Sequence, residues 1–537
     1  MSRGRTALAV GPLAFLLLLF VVPLGRVLTV GLLDAEGGPL TPLLDVVADP
    51  RLREAAWFTL WQAVASTGLT LAVGLPVAAV LSRLEFRGRR VVEAAVMVPF
   101  VLPTVVVGAA FVALLGALPS GLVPQRGVLP ILLAHAFFNV AVVVRTVGGL
   151  WQHLDPAPAL AARGLGAGPL RAFLVATLPR LRPAVAAAAV VVLLFTMTSF
   201  GVVLVLGGSG AATLEVEIHR ATVRFLDLGT AAALSVVQLV AVVATLGVYA
   251  RLRRRAGSER LRRATAARRR PRTAGERTAV AAALAVLGLL HGAPLAALVL
   301  RSLRVGDGWG LAHYRTLDAP TRAAVLSVAP LEALWNSITI AAAATAVAVL
   351  LGLAAAVAAA SGSRLGRFAD GALMLPLGTS AVTLGLGLLL TFRTGPLAGR
   401  GAVLLVPLAQ ALIATPFVVR TVLPVLRDID DRLREAVATL GAAPRRVRRE
   451  VDLPIVSRAT LVAAGFAFAI SVGEFGATVF VARATNPTVP VAIQRALGLP
   501  GAVNLGRALA LSVLLALLTG VVVLLVDRVR VGALGRF

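Results

Sequence analysis

Glu215, Glu217 and His219 stand at alternate positions of TLEVEIHRA, residues 213–221. Two carboxylates and an imidazole are a donor set that suits iron. Residues two apart share a face only on a strand, however, and a helix would scatter them. The reading preferred here is a re-entrant or interfacial helix after the fifth apolar run, with Glu215 and Glu217 as candidate contacts for a protein outside the membrane. Glu474, in ISVGEFG, lies in or near a long apolar run, where an ionisable group is costly and tends to be functional. Beside a central pathway its carboxylate would attract a cation; otherwise it would serve an ion pair or bond backbone at a helix break. Ser199 holds the matching place earlier in the chain, so Glu474 and Ser199 are the candidates for a substrate path. His135 and Gln410 are another matched pair, and exchange of imidazole for amide suits hydrogen bonding between helices.

Other chemistries are excluded by composition. The chain has no cysteine, which removes disulfides, thiolate metal sites and thiol catalysis. Its five histidines are scattered, and no nucleophile, base or metal set converges, so we assign neither catalytic residues nor a metal site. All 52 basic residues are arginine, so the lysine that a P-loop needs to reach the β- and γ-phosphates is absent. If ATP drives this protein, another subunit hydrolyses it.

The elements that would position these residues are membrane helices. Mean hydropathy is +0.91 and only 14% of residues are charged, which fits an all-α polytopic membrane protein. Apolar runs of about 20 residues or more, enough to span a bilayer, occur at roughly 8–32, 57–82, 92–118, 128–148, 183–206 and 227–250. Six more lie at roughly 278–301, 334–360, 370–392, 402–424, 459–483 and 505–527, giving about twelve transmembrane helices. The first run is long, holds Pro23 and Arg26 and lacks a persuasive cleavage site, so it reads as a retained helix. Arg3, Arg5, the SRLEFRGRR loop and residues 251–277 place both termini in the cytoplasm by the positive-inside rule. The twelve arginines of 251–277 read as a lipid-facing tether between two halves; nucleic acid is not an expected partner.

A gapless offset of 275 residues relates the halves. VVRTV at 143–147 recurs at 418–422; Asp155 pairs with Asp430, Gly166 with Gly441, Leu178-Pro179 with Leu453-Pro454, and Phe200-Gly201 with Phe475-Gly476. TLEVEIHRA likewise pairs with TVPVAIQRA at 488–496. The units are a first repeat at 1–250, a linker at 251–277 and a second repeat at 278–537. Six spans per repeat make the two copies parallel, with a pseudo-two-fold axis along the membrane normal and a pathway between them.

Between the fourth and fifth spans of each half lies a polar elbow. In EAVATLGAAPRRVRREVDLP, residues 435–454, Asp430 can cap a helix whose Leu433, Ala436, Val437 and Leu440 share one face. Gly441 then stops it, Pro444 opens a second short helix and Pro454 ends that one. The spacing E-A-A-x3-G-x9-I-x-L-P resembles the signature loop of membrane permeases of binding-protein-dependent ABC importers. Glu435, Ala436, Gly441, Leu453 and Pro454 match it, with Val437 and Val451 as conservative departures. The first copy keeps Ala161, Ala162, Gly166 and Pro179, but has Leu160 for the glutamate and Ala176 for the isoleucine.

The resemblance implies a type I ABC importer permease in a bacterial plasma membrane. Its elbows would dock on an ABC ATPase dimer that binds the ATP, with no cofactor in this chain, and an extracytoplasmic solute-binding protein would deliver the cargo. Two six-span halves in one chain are similar to the ferric-iron and thiamine branch, and ILLAHAFFN and SFGVVLVLGGSGAATLEVEI are similar to the thiamine permease. The rival reading is a secondary transporter or channel run by an ion gradient. That needs buried relays in both halves, for which Glu474 alone is thin support.

Overall fold

The computed structural model describes residues 7–33, 38, 41–119, 121–208, 210–255, 268–318, 329–394, 398 and 403–534. Residues 256–267 of the arginine linker therefore lie outside the described residues. Among the described residues ten helices are long and apolar enough to cross a membrane, and two further pairs are each bent at a break. In chain order, span 1 is Val10–Leu32, span 2 Pro50–Arg83, span 4 Val128–His153, span 5 Pro169–Met197 and span 6 Leu228–Arg251. Span 3 is the pair Arg89–Val101 and Thr104–Leu115, bent by 107°. Span 7 is Ala274–Ser302, span 8 Pro330–Ala360, span 10 Leu405–Asp428, span 11 Arg445–Gly473 and span 12 Ala502–Val526. Span 9 is the pair Arg364–Gly378 and Ala381–Thr391, bent by 101°. A two-residue hairpin, β1 (Arg304–Val305) with β2 (Gly308–Trp309), is a small departure from an all-helical chain.

Hydropathy misplaced several boundaries. Spans 5 and 11 begin in the elbows, at Pro169 and Arg445, and stop at Met197 and Gly473, short of the expected 206 and 483. Gly201–Leu206 and Thr478–Val481 are separate short helices beyond those stops. Pro454 does not end a helix, contrary to the sequence expectation: it lies near the start of Leu453–Gly473, directly after the π turn Arg448–Asp452. A proline inside a helix clashes with the carbonyl four residues back, and a π turn widens the backbone at that point. Four π turns, ending at Val21, Thr177, Gly292 and Asp452, each finish two residues before a proline: Pro23, Pro179, Pro294 and Pro454. The helices thereby continue where composition alone suggests a stop.

The halves interlock. Span 1 packs on span 6 and on the Ala381–Thr391 segment of the other half; span 7 packs on span 12 and on Thr104–Leu115. One continuous apolar core runs through both halves. Without a hydrophobic drive between helices in lipid, small residues that let backbones approach carry the packing. Val143 and Val418, a repeat pair, each seat against a glycine of the neighbouring span. A Cβ on Gly74 would lie 2.8 Å from Val143 Cβ, and one on Gly352 2.6 Å from Val418 Cβ. Both are stiff β-branched neighbours, so Gly352→Ala should overpack the crossing and cost about 1–3 kcal/mol. A lowered thermal midpoint of the purified protein in detergent would show this, and an unchanged midpoint would refute it.

Candidate functional site

Four helix breaks meet between the halves. In span 3, Pro103 carries no N–H to leave unsatisfied, and the following helix starts with Val107 N–H donating to Pro103 O (3.2 Å). In span 9, Ser380 caps the inner segment by accepting from Val382 and Thr383 N–H at 3.1 and 3.3 Å. Beyond span 5 come Ser199 and Phe200, and beyond span 11 come Glu474, Phe475 and Gly476. Glycines allow the breaks to touch. A Cβ on Gly473 would sit 3.0 Å from Pro103 Cγ, one on Gly476 2.7 Å from Ala381 Cβ, and Gly201 is pressed against Thr104 and Phe475.

At the centre of this junction Phe200 and Phe475, the same position in the two repeats, stack on each other. Their centroids are 5.2 Å apart with an interplanar angle of 12°, and both rings are buried. Sequence reading assigned these two phenylalanines no role. The signal was available, because FG is the one apolar pair preserved beside the break in both copies. A self-pair of equivalent residues marks the pseudo-two-fold axis and closes it with two aromatic faces.

The charged candidates are held by their surroundings. Glu474 is buried, and its carboxylate accepts from Ala477 N–H (2.8 Å), Thr478 N–H (2.9 Å) and the Thr478 hydroxyl. It caps the short helix after the break, the structural alternative weighed above. Ser199 is half-buried at the matching break. Glu215 and Glu217 are 0% and 1% exposed, so neither carboxylate lies on a surface that a docking protein could touch. That corrects the expected contact role. A helical turn, Leu214–His219, sends the triplet to separate neighbours. Glu215 accepts from Ser380 of the other half (2.7 Å), and Glu217 pairs with Arg220 (2.6 Å) and Arg51 (3.3 Å). His219 lies between the rings of Phe200 and Phe480. His135 and Gln410 bond between helices as expected, to Ser66 (2.8 Å) and Thr478 (3.4 Å).

The elbows are built alike. Ala157 N–H donates to Asp155 and Arg432 N–H to Asp430, both at 2.9 Å; Asp430 is the N-cap of Asp431–Thr439, and Asp155 makes the same bond one residue before Pro156, at the start of Ala157–Gly164. Each ends on a left-handed glycine, Gly166 at φ 87° and Gly441 at φ 82°. The closing bonds match too: Ala167 N–H to Ala162 O and Ala442 N–H to Val437 O, at 3.0 and 3.3 Å. Ala161 and Ala436 accept the bonds from Leu165 and Leu440. Those two leucines are 90% and 87% exposed, and the helix Ala157–Gly164 buries none of its residues. Glu435 is exposed on the second elbow, while Pro179 and Pro454 follow the π turns inside the first part of spans 5 and 11. The apolar stripe is therefore not packed on the protein's own helix ends.

Residues 71–258 match the family model described as binding-protein-dependent transport system inner membrane component. The chain is 27% identical to the thiamine transport system permease protein ThiP of Brucella abortus, over 87% of this chain and 86% of that one. It is 26% identical to a probable ABC transporter permease protein, y4fN, of Sinorhizobium fredii, over 82% of each. It is also 30% identical to the sulfate transport system permease protein CysT of Salmonella typhimurium, over 38% of this chain and 77% of that relative. With its apolar spans, its paired elbows and these relatives, the chain belongs to the binding-protein-dependent inner-membrane transport components, and is a multi-pass permease of an ABC importer with two permease domains fused in one chain.

Proposed function

We propose that the two elbows are the sites where a separate ATPase pair drives this permease, and that the Phe200–Phe475 stack is the closed gate of its pathway. The observation that carries the reading is the pair of leucines, Leu165 and Leu440, held out at the same position of two similarly built elbows. A leucine left in water on a rigid loop gains about 1.5–3 kcal/mol when a partner covers it. Ala161, Ala162, Gly166, Pro179, Glu435, Ala436, Gly441 and Pro454 shape the two surfaces, and ATP belongs to the partner subunits.

In this reading the elbows and both termini face the cytoplasm. Counting the bent pair once, six spans separate the elbows, an even number that returns the chain to one face. The repeats occupy 1–250 and 278–537, joined by the basic linker 251–277, and the opposite face receives a solute-binding protein. The cargo is a small solute: relatives matched over most of their length are named for thiamine and for sulfate. Ferric iron, the other expectation, finds no shared ligand set in Glu215, Glu217 and His219, whose side chains go to separate neighbours.

Two outcomes test this. Replacing Leu165 and Leu440 together by glutamate should cut copurification of the ATPase by about a hundredfold, about one decade per leucine lost; undiminished copurification of the double variant would sink the coupling assignment. Phe200→Ala with Phe475→Ala removes an aromatic pair worth about 0.5–1.5 kcal/mol beyond its area. Proteoliposomes holding that variant should leak a small solute without ATP up to about tenfold faster than wild type, and equally tight vesicles would place the gate elsewhere.

A further inference from the structure

A cavity of about 800 Å³ opens at the end of span 4 remote from the elbows, bounded by Arg126 to Val128, the glycine turn at Gly207 and Gly208, and the helix bearing His219, Arg220 and Arg224. Three guanidinium groups line it and no carboxylate does. Glu217, the nearest acid in sequence, is buried and committed to Arg220 and Arg51. Its bond to Arg220, with a second from Arg220 to Gly208 O (3.3 Å), fixes that guanidinium in place. Arg126 and Arg224 are exposed and have no acidic partner among the described residues. Gly208 at φ 73° folds the loop so that Arg126 packs over it, 3.4 Å from where a Cβ would stand. The cavity also reaches the pathway: His219 lines it and lies 5.2 Å, ring to ring, from Phe200 of the stacked pair.

We propose that this cavity binds the oxyanion group of the transported solute, a phosphate, sulfate or phosphonate, immediately before the gate. The assignment rests on the permease reading above and names the chemistry of its cargo. Like charges gathered in one concavity repel each other and a cation alike, and an anion relieves them. Guanidinium forks match tetrahedral oxyanions with paired hydrogen bonds from fixed directions. The volume falls within the range of small-molecule sites, about 300–1,000 Å³. It exceeds the need of a bare ion, so the oxyanion is carried on an organic body, which the apolar faces of Val128, Leu204 and Val223 would hold.

The test uses the purified full chain in lipid nanodiscs, without ATPase or binding protein, titrated with inorganic phosphate and with sulfate at constant ionic strength in chloride. Saturable binding is expected, weakened about tenfold per arginine removed in Arg126→Gln and Arg224→Gln and nearly abolished in the double variant. Arg272→Gln, at the elbow end of the bundle, should change nothing. Absence of saturable binding, or binding indifferent to the double variant, overturns the proposal. So does capture of a polyglutamate peptide without phosphate or sulfate, which would make the cavity a socket for an acidic protein segment. ATPase copurification scored on the same variants separates the two readings: its loss would indict the permease mechanism, while intact copurification with no anion binding would remove the oxyanion site alone.

Discussion

Backbone N–H and C=O groups inside a membrane must find partners within the protein, and this chain interrupts its helices at four places that meet between the two halves. Each break is satisfied differently. Pro103 has no N–H; the Ser380 hydroxyl accepts from two amides; Glu474 accepts from two amides and a hydroxyl; Thr198 returns both its N–H and its hydroxyl to Leu194 O, at 3.1 and 2.9 Å. Irregular backbone at such a depth is tolerated only where protein or a cavity surrounds it. The breaks are thus confined to the interface of the halves, which is where a pathway can form.

Duplication supplies the frame, and divergence supplies its chemistry. The elbows kept their aspartate–amide bonds, left-handed glycines and bare leucines. The junction did not stay symmetric: Glu474 answers to Ser199, and Glu215 answers to Pro490. Glu215 spends its carboxylate on Ser380, a bond that runs from the first repeat to the second and ties the short helix Leu214–His219 to the break of span 9. A symmetric protein could not place an acid on one side of its axis and a hydroxyl on the other without also duplicating the buried charge, which in a low-dielectric interior is costly. The arginine-lined cavity sits on the first repeat alone: Arg126 and Arg224 have Gly401 and Leu499 as their repeat partners.

Span number and repeat were legible because both are written in long, periodic stretches, and the elbows because a charged run with Asp, Gly and Pro at fixed offsets is rare in an apolar chain. The bends in spans 3 and 9 were not, since VPFVLPTVVV and LPLGTSAVTL are apolar on both sides of the break and hydropathy carries no direction. Glu215 and Glu217 were read as surface residues because their partners are remote, Ser380 by 165 residues and Arg51 by 166. Proline misled in the same way: Pro454 looked like a stop because the π turn that accommodates it has no composition of its own.

Spans 5 and 11 run from the elbows to the aromatic junction as continuous helices. Each is 29 residues long, from the elbow at Pro169 or Arg445 to the break at Met197 or Gly473, a rod of about 43 Å at 1.5 Å per residue. Phe200 and Phe475 stand just beyond the rod ends, where the stack has a centroid separation of 5.2 Å. Aromatic attraction fades beyond about 7 Å, so a relative displacement of about 2 Å would part the stack. A rod of that length delivers 2 Å at its tip for a tilt of about 3°. Under the coupling proposed above, the work an ATPase does on an elbow would not need to deform either helix. It would only need to rotate two rods slightly about the close contacts at Gly201, Gly473 and Gly476, where no side chain stands between the packed backbones.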